Sequence, residues 1–136
     1  VVNDMVIASY LENYADVNLI LVGGAVRRNF HCTVGPTAIR SLEGLNVDKA
    51  FMATNGITVK KGLTTPDFNQ AEVKKTMIDI ASEVTVLSDS SKIRNNGFVQ
   101  IVPIAAVQRL ITDDKITESD LAEFEAAGIE VCVAKL

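Results

Sequence analysis

The sequence predicts an α/β fold with a mainly parallel sheet, and three observations carry that prediction. Short apolar and β-branched runs alternate with helix-like segments from one end of the chain to the other. Most of the runs end on a glycine pair or a small polar cluster, as buried strands do when they reach a turn. The segments between them are of about 10 to 14 residues, which suits right-handed crossovers between parallel strands. No repeat of solenoid period and no low-complexity linker interrupts the pattern, so the chain reads as one domain.

The elements follow in order. Asn3 or Asp4 can cap a first helix whose Ile7, Leu11 and Tyr14 recur at helical spacing. Val17–Val22 reads as a buried strand closed by Gly23-Gly24. Pro36 opens a second helix, Thr37–Leu45, with Gly44 near its end. Ala50–Ala53 is the next strand and leads into Asn55-Gly56. Gln70–Glu83 is the clearest helix, with Val73, Met77, Ile80, Ala81 and Val84 as its apolar stripe. Val84–Leu87 is the strand that follows it, and Phe98–Val102 is a short one stopped by Pro103. Arg109–Asp113 repeats the pattern of an apolar run ending on aspartate. Glu118–Ala127, capped by Thr117 and stopped by Gly128, is the last helix, and Ile129–Ala134 the last strand.

Composition narrows the function classes. The chain has 136 residues, enough for a real core, with 48% hydrophobic and 22% charged residues. A net charge of −4 and a pI near 4.9 argue against a nucleic-acid surface, which needs clustered lysine and arginine. No uncharged apolar run reaches the roughly 18 residues of a membrane span, and no secretory signal opens the chain. Cys32 and Cys132 form no C-x-x-C unit and read as thiols in a reducing cytoplasm. His31 is the single histidine, so a histidine-rich metal site is excluded, and no metal or cofactor is expected.

Polar groups gather at strand ends and helix starts, where a parallel sheet brings distant residues to one edge. Each has a structural reading beside the functional one. Gly23-Gly24 is either a sharp turn or a close approach to a bound group. Arg27, half of an arginine pair, is either solvated or a bidentate phosphate clamp. Asn3, Asn55 and Gly56 stand at the same kind of position. Glu72 either completes a capping box with Asn69 or binds sugar hydroxyls, and Lys75 one turn on can pair with it. Asp89-Ser90-Ser91-Lys92 follows a buried strand; Asp89 can cap its own turn, while Lys92 is a point-charge partner for an anion. Asp113 reads as the organiser of the turn into Lys115-Ile116-Thr117. No nucleophile–base arrangement is visible, although Glu72 or Asp89 could serve as a proton-shuttling carboxylate.

In order along the chain, Leu21-Val22-Gly23-Gly24, Val34-Gly35, Asp48-Lys49-Ala50-Phe51, Asn55-Gly56-Ile57 and Gly62-Leu63-Thr64-Thr65 are followed by Ala71–Met77, Asp89-Ser90-Ser91-Lys92 and Leu110–Asp113. This ordered set resembles the C-terminal effector-sensing domain of the DeoR family of bacterial transcriptional repressors and covers nearly the whole chain. The resemblance implies a Rossmann-like sensor fold akin to ribose-phosphate isomerase and glucosamine-phosphate deaminase. It implies that a phosphorylated sugar or related metabolite binds and so releases operator DNA from a separate N-terminal helix-turn-helix domain. Lys92 would contact phosphate or hydroxyl, and Asn3, Gly24, Asn55, Gly56 and Glu72 would line the same pocket.

Two departures add expectations. Residues 1–136 are expected to be a sensor fragment without the helix-turn-helix domain and without the first part of the sensor, where the family carries an Asp-x-Gly-Ser/Thr-Thr phosphate loop. A sheet strand missing there would expose an edge and favour a homo-oligomer. The rival to a regulatory domain is an isomerase- or deaminase-type enzyme on the same fold, since fold alone does not separate the two.

Overall fold

The structure is a computed structural model that describes residues 1–135. The chain divides into two compact units, Val1–Leu45 and a larger one from Asn46 onward.

In the first unit, Asp4 caps helix α1 (Met5–Tyr14) by accepting from the amides of Val6 and Ile7, each at 2.8 Å. The expected Ile7–Leu11–Tyr14 stripe is not its buried face: Ala8 is buried, while Ile7 and Tyr14 are exposed. Val17–Val22 is not a strand. It makes a single parallel bridge, Val2 with Leu21, through the Val2 amide to Ile20 and the Val22 amide to Val2. An apolar run becomes a strand only when a neighbouring backbone completes its ladder, and here the ladder stops after one rung. The hairpin of β1 (Ala25–Arg27) and β2 (Cys32–Val34) was not foreseen. Its turn holds Asn29 and His31 at positive φ. Helix α2 (Pro36–Leu42) starts at the proline as expected but ends three residues early.

The larger unit contains the parallel sheet. Its strands are β3 (Val47–Met52), β6 (Ala81–Leu87), β8 (Arg109–Asp113) and β9 (Glu130–Ala134), in the order β3-β6-β8-β9 and all parallel. Val84, Thr85 and Val86 are all buried, so β6 is covered on both faces, as a central parallel strand should be. Helix α3 (Phe68–Asp79) packs on β3 and β6, and α4 (Glu118–Ala126) packs on β9. A second sheet of three antiparallel strands, β4 (Gly56–Thr58), β5 (Gly62–Thr65) and β7 (Val99–Val102), has the order β4-β5-β7. Ile57, Leu63 and Ile101 from this sheet join Met52, Val86 and Leu110 from the parallel one in a single hydrophobic cluster.

Helix α3 differs from its expected span of Gln70–Glu83. Asp67, not Asn69, is its cap, accepting from the Gln70 amide at 2.8 Å. The helix gives way to β6 at Ala81, so Ile80, Ala81 and Val84 of the expected stripe lie beyond it; Ala71, Val73 and Ile78 are its buried residues. At α4, Thr117 is the cap, as the sequence indicated.

Candidate functional site

At the carboxyl ends of β3, β6 and β8 the chain leaves the sheet in three loops, and hydrogen bonds knit these into one edge. After β3, buried Thr54 donates to the carbonyls of Gly56 (2.8 Å) and Thr64 (3.1 Å). Thr65 donates to Asn55 Oδ1 at 3.0 Å, with Gln70 Oε1 at 3.4 Å as a second acceptor, which ties this turn to the first turn of α3. Lys74 reaches from α3 to the Ala53 carbonyl at 2.8 Å.

Gly56 is where backbones meet: a Cβ there would run into the carbonyl of Asn95 and the hydroxyl of Thr64. The neighbouring Ile57 bridges Ile93 and accepts from the Arg94 amide. The turn after β3 is therefore fastened to the loop after β6.

That second loop begins at Ser88, whose amide donates to the Ile111 carbonyl on β8. Asp89 caps a short 3-10 turn over Ser90–Lys92, accepting from the Ser91 amide at 2.9 Å. The side-chain and backbone hydrogen bonds from Ser91 hold its carboxyl below the ordinary aspartate range. Asp113, at the end of β8, joins the second loop to the third. One of its oxygens accepts from the Ser90 amide (2.8 Å) and the other from the Lys115 amide (2.9 Å). The Ser90 bond, then the Lys115 bond, lower its carboxyl as well. The expected turn-organising role of Asp113 is thus half of what it does; the link to Ser90 spans 23 residues and leaves no local sequence signal.

The candidate residues fall into place unit by unit. In the larger unit, Asn55, Gly56, Asp89 and Lys92 share the knitted edge. The Lys92 ammonium has no hydrogen bond or ion pair among the described residues, whereas the Ser90 and Ser91 amides of its turn are engaged by Asp113 and Asp89. Glu72 is exposed on α3, and of its two readings the capping box with Asn69 is not formed, since Asp67 is the cap. Lys75 does not pair with Glu72; it bonds Asp79 at 2.7 Å, one turn further on, and that bond raises its affinity for the proton.

In the first unit, Asn3 donates to the Thr33 carbonyl at 2.9 Å, and Arg27 lies 3.6 Å above the Phe30 ring. Gly24 is needed where it is, at φ +148° with a Cβ that would press on the Val34 carbonyl and on Ala38. Gly23 has open space around it. Thr54, Thr64, Thr65 and Lys74 hold the edge through contacts that no local pattern announces. Their Thr-Thr pair is visible in the sequence, but the carbonyls they serve are not.

The described residues contain no group of histidine, cysteine and carboxylate side chains fit to hold a metal, and no helix long and apolar enough to cross a membrane. Neither cysteine is in a disulfide.

A Rossmann-like parallel sheet whose strand-end loops are fastened into one edge defines the class, an α/β domain. Residues 1–114 match the family model of the DeoR C-terminal sensor domain. The chain is 36% identical over 119 residues to the HTH-type transcriptional regulator GlpR of Haloferax volcanii, an alignment covering 88% of this chain and 47% of that protein. It is 33% identical over 115 residues to the HTH-type transcriptional regulator IolR of Bacillus subtilis (82% and 45% covered). With the HTH-type transcriptional repressor GlcR of the same organism it shares 27% identity over 135 residues (99% and 52% covered). The chain belongs to the DeoR sensor-domain family, which is regulatory rather than catalytic. It spans about half the length of these curated relatives.

Proposed function

We propose that this chain is the effector-sensing part of a longer transcriptional repressor, with residues 1–136 forming the sensing segment and a separate helix-turn-helix domain meeting the operator. The effector in this reading is a phosphorylated sugar or a related metabolite. The protein works in the cytoplasm, as a homo-oligomer. Family membership supports the regulatory role, and the relatives' names, with half of each relative's length lying outside the match, support a further DNA-binding domain.

The observation that carries the ligand is Lys92. Its ammonium makes no hydrogen bond or ion pair among the described residues and stands on the strand-end edge, next to Ile93, which bridges the Asn55–Gly56 turn through Ile57. An ammonium in that position suits a phosphoryl group as a point charge. Asp89, Glu72 and the Asn55 amide offer acceptors and a donor for sugar hydroxyls, and Lys75 lies one turn from Glu72. In the first unit, Asn3, Gly23, Gly24 and Arg27 are proposed as ligand contacts in their own right. A ligand that fits one arrangement of these loops better than another shifts the population toward it, and so changes operator affinity by the same free energy.

The test is a thermal-shift and operator-binding screen of the full-length protein against pentose and hexose phosphates. At least one should raise the melting temperature and weaken operator binding at matched ionic strength. Stabilisation by none of the panel would count against a sugar-phosphate effector.

A further inference from the structure

The geometry points to a second anion site, in a groove of about 280 Å³ on the larger unit. It lies between the 3-10 turn after β6 and the start of α4, and its polar lining comes from Ser90, Ser91, Arg94, Lys115, Thr117 and Asp120. The ligand class is a single phosphoryl or carboxylate group held by Arg94 and Lys115.

Arg94 is the organising residue. Its Nε donates to Asp120 at 2.6 Å, and Asp120 is only 8% exposed while the arginine side chain is 66% exposed. The other Asp120 oxygen accepts from the Thr117 hydroxyl at 2.7 Å. Burial alone would raise the Asp120 carboxyl, but Thr117 and Arg94 outweigh it and hold it lowered, so this acid stays charged and committed. A guanidinium held through Nε has its two terminal amino groups left over. Neither makes a hydrogen bond or ion pair among the described residues, and together they form the fork that grips phosphate or carboxylate bidentately.

The backbone adds a second argument. Arg94 sits at φ +68°, a region that glycine or asparagine enters far more easily than arginine. Such conformations persist where the surroundings over-determine them and cluster at binding sites. Here the Arg94 amide is pinned to the Ile57 carbonyl.

The charge balance favours an anion. Lys115 lines the same groove; its ammonium makes no hydrogen bond or ion pair among the described residues, and Asp113 is the acid that feels its charge. Of the nearby acids, Asp113 is occupied on both oxygens by the Ser90 and Lys115 amides, and Asp89 on one by the Ser91 amide. A neighbouring hollow of about 200 Å³ shares Arg94 and Asp120 but adds Glu123 instead of a lysine. It is the poorer anion site for that reason.

Inorganic phosphate is the probe. Full-length protein titrated with phosphate against chloride at matched ionic strength should show a saturable rise in melting temperature. Lys115→Gln, which removes no intramolecular bond, should weaken apparent phosphate affinity about tenfold, and Lys115→Arg should restore most of it. Arg94→Gln should weaken it further. No phosphate-specific rise, or a rise that survives Lys115→Gln and disappears in Lys92→Ala, would overturn the assignment. That second outcome would leave the Lys92 reading standing, and loss of the sugar-phosphate response alone would leave this site standing.

Discussion

The two ends of the parallel sheet treat charge in opposite ways. At the amino end, Arg109 of β8 reaches both neighbouring strands, to Glu83 on β6 at 3.3 Å and Glu130 on β9 at 2.8 Å. Its hydrogen bond to Glu130 holds it still more firmly protonated than usual. One guanidinium there is shared between two carboxylates, so the charged groups are paired within the protein. At the carboxyl end, Asp113 accepts backbone amides on both oxygens and Asp89 on one, while the ammonium groups of Lys92 and Lys115 make no hydrogen bond or ion pair among the described residues. The first pattern closes a surface, and the second leaves donors for something outside the chain.

Substitutions can break or sharpen that contrast. Leu110 is fully buried between the two ends, so Leu110→Ala should give the largest loss, about 2–5 kcal/mol in a urea titration. A loss well below that range would mean the two ends are not held by one core. Gly56→Ala should cost about 1–3 kcal/mol, because the new methyl must displace the Asn95 backbone. Hydrogen exchange should then speed up at Arg94–Gly97, and exchange limited to residues around Arg109 would refute the proposed fastening of the loops.

Acid should act next, and on the carboxyl end first. Asp113 and Asp120 have carboxyls below the ordinary value of 3.8. Their stabilising contribution is therefore complete above that value and lost as pH falls through their lowered native ones. The urea midpoint should be flat above about pH 5 and decline below about pH 4, with a shallower decline in Asp113→Asn. An unchanged acid limb in that variant would show that Asp113 does not couple the loops. Arg109→Gln should have the smallest effect, a loss that shrinks in high salt and leaves effector response intact.

How much of this was legible in the sequence depends on whether the signal was local. Arg109–Asp113 could be read because one short run carries both its burial and its terminal aspartate, and Thr117 because a cap acts within three residues. The strands β4 and β5 could not, since Gly56–Thr58 and Gly62–Thr65 are too short for alternation and take their form from pairing with each other and with β7. Val17–Val22 failed in the opposite direction: its composition is strand-like, but its ladder is a single bridge. At the site, Asp89's turn cap was legible. The Arg94–Asp120 pair, 26 residues apart, and the Thr54–Thr64–Gly97 contacts were not, because each joins loops that only the fold brings together.

The edge around Lys92 is proposed to sense the effector. Its most direct test is operator release by full-length Lys92→Ala across a titration of the sugar phosphate that best stabilises the unaltered protein. Unchanged operator affinity without the sugar phosphate, with at least a tenfold higher concentration needed for release, is the predicted result. Release at the same concentration as the unaltered protein would contradict it.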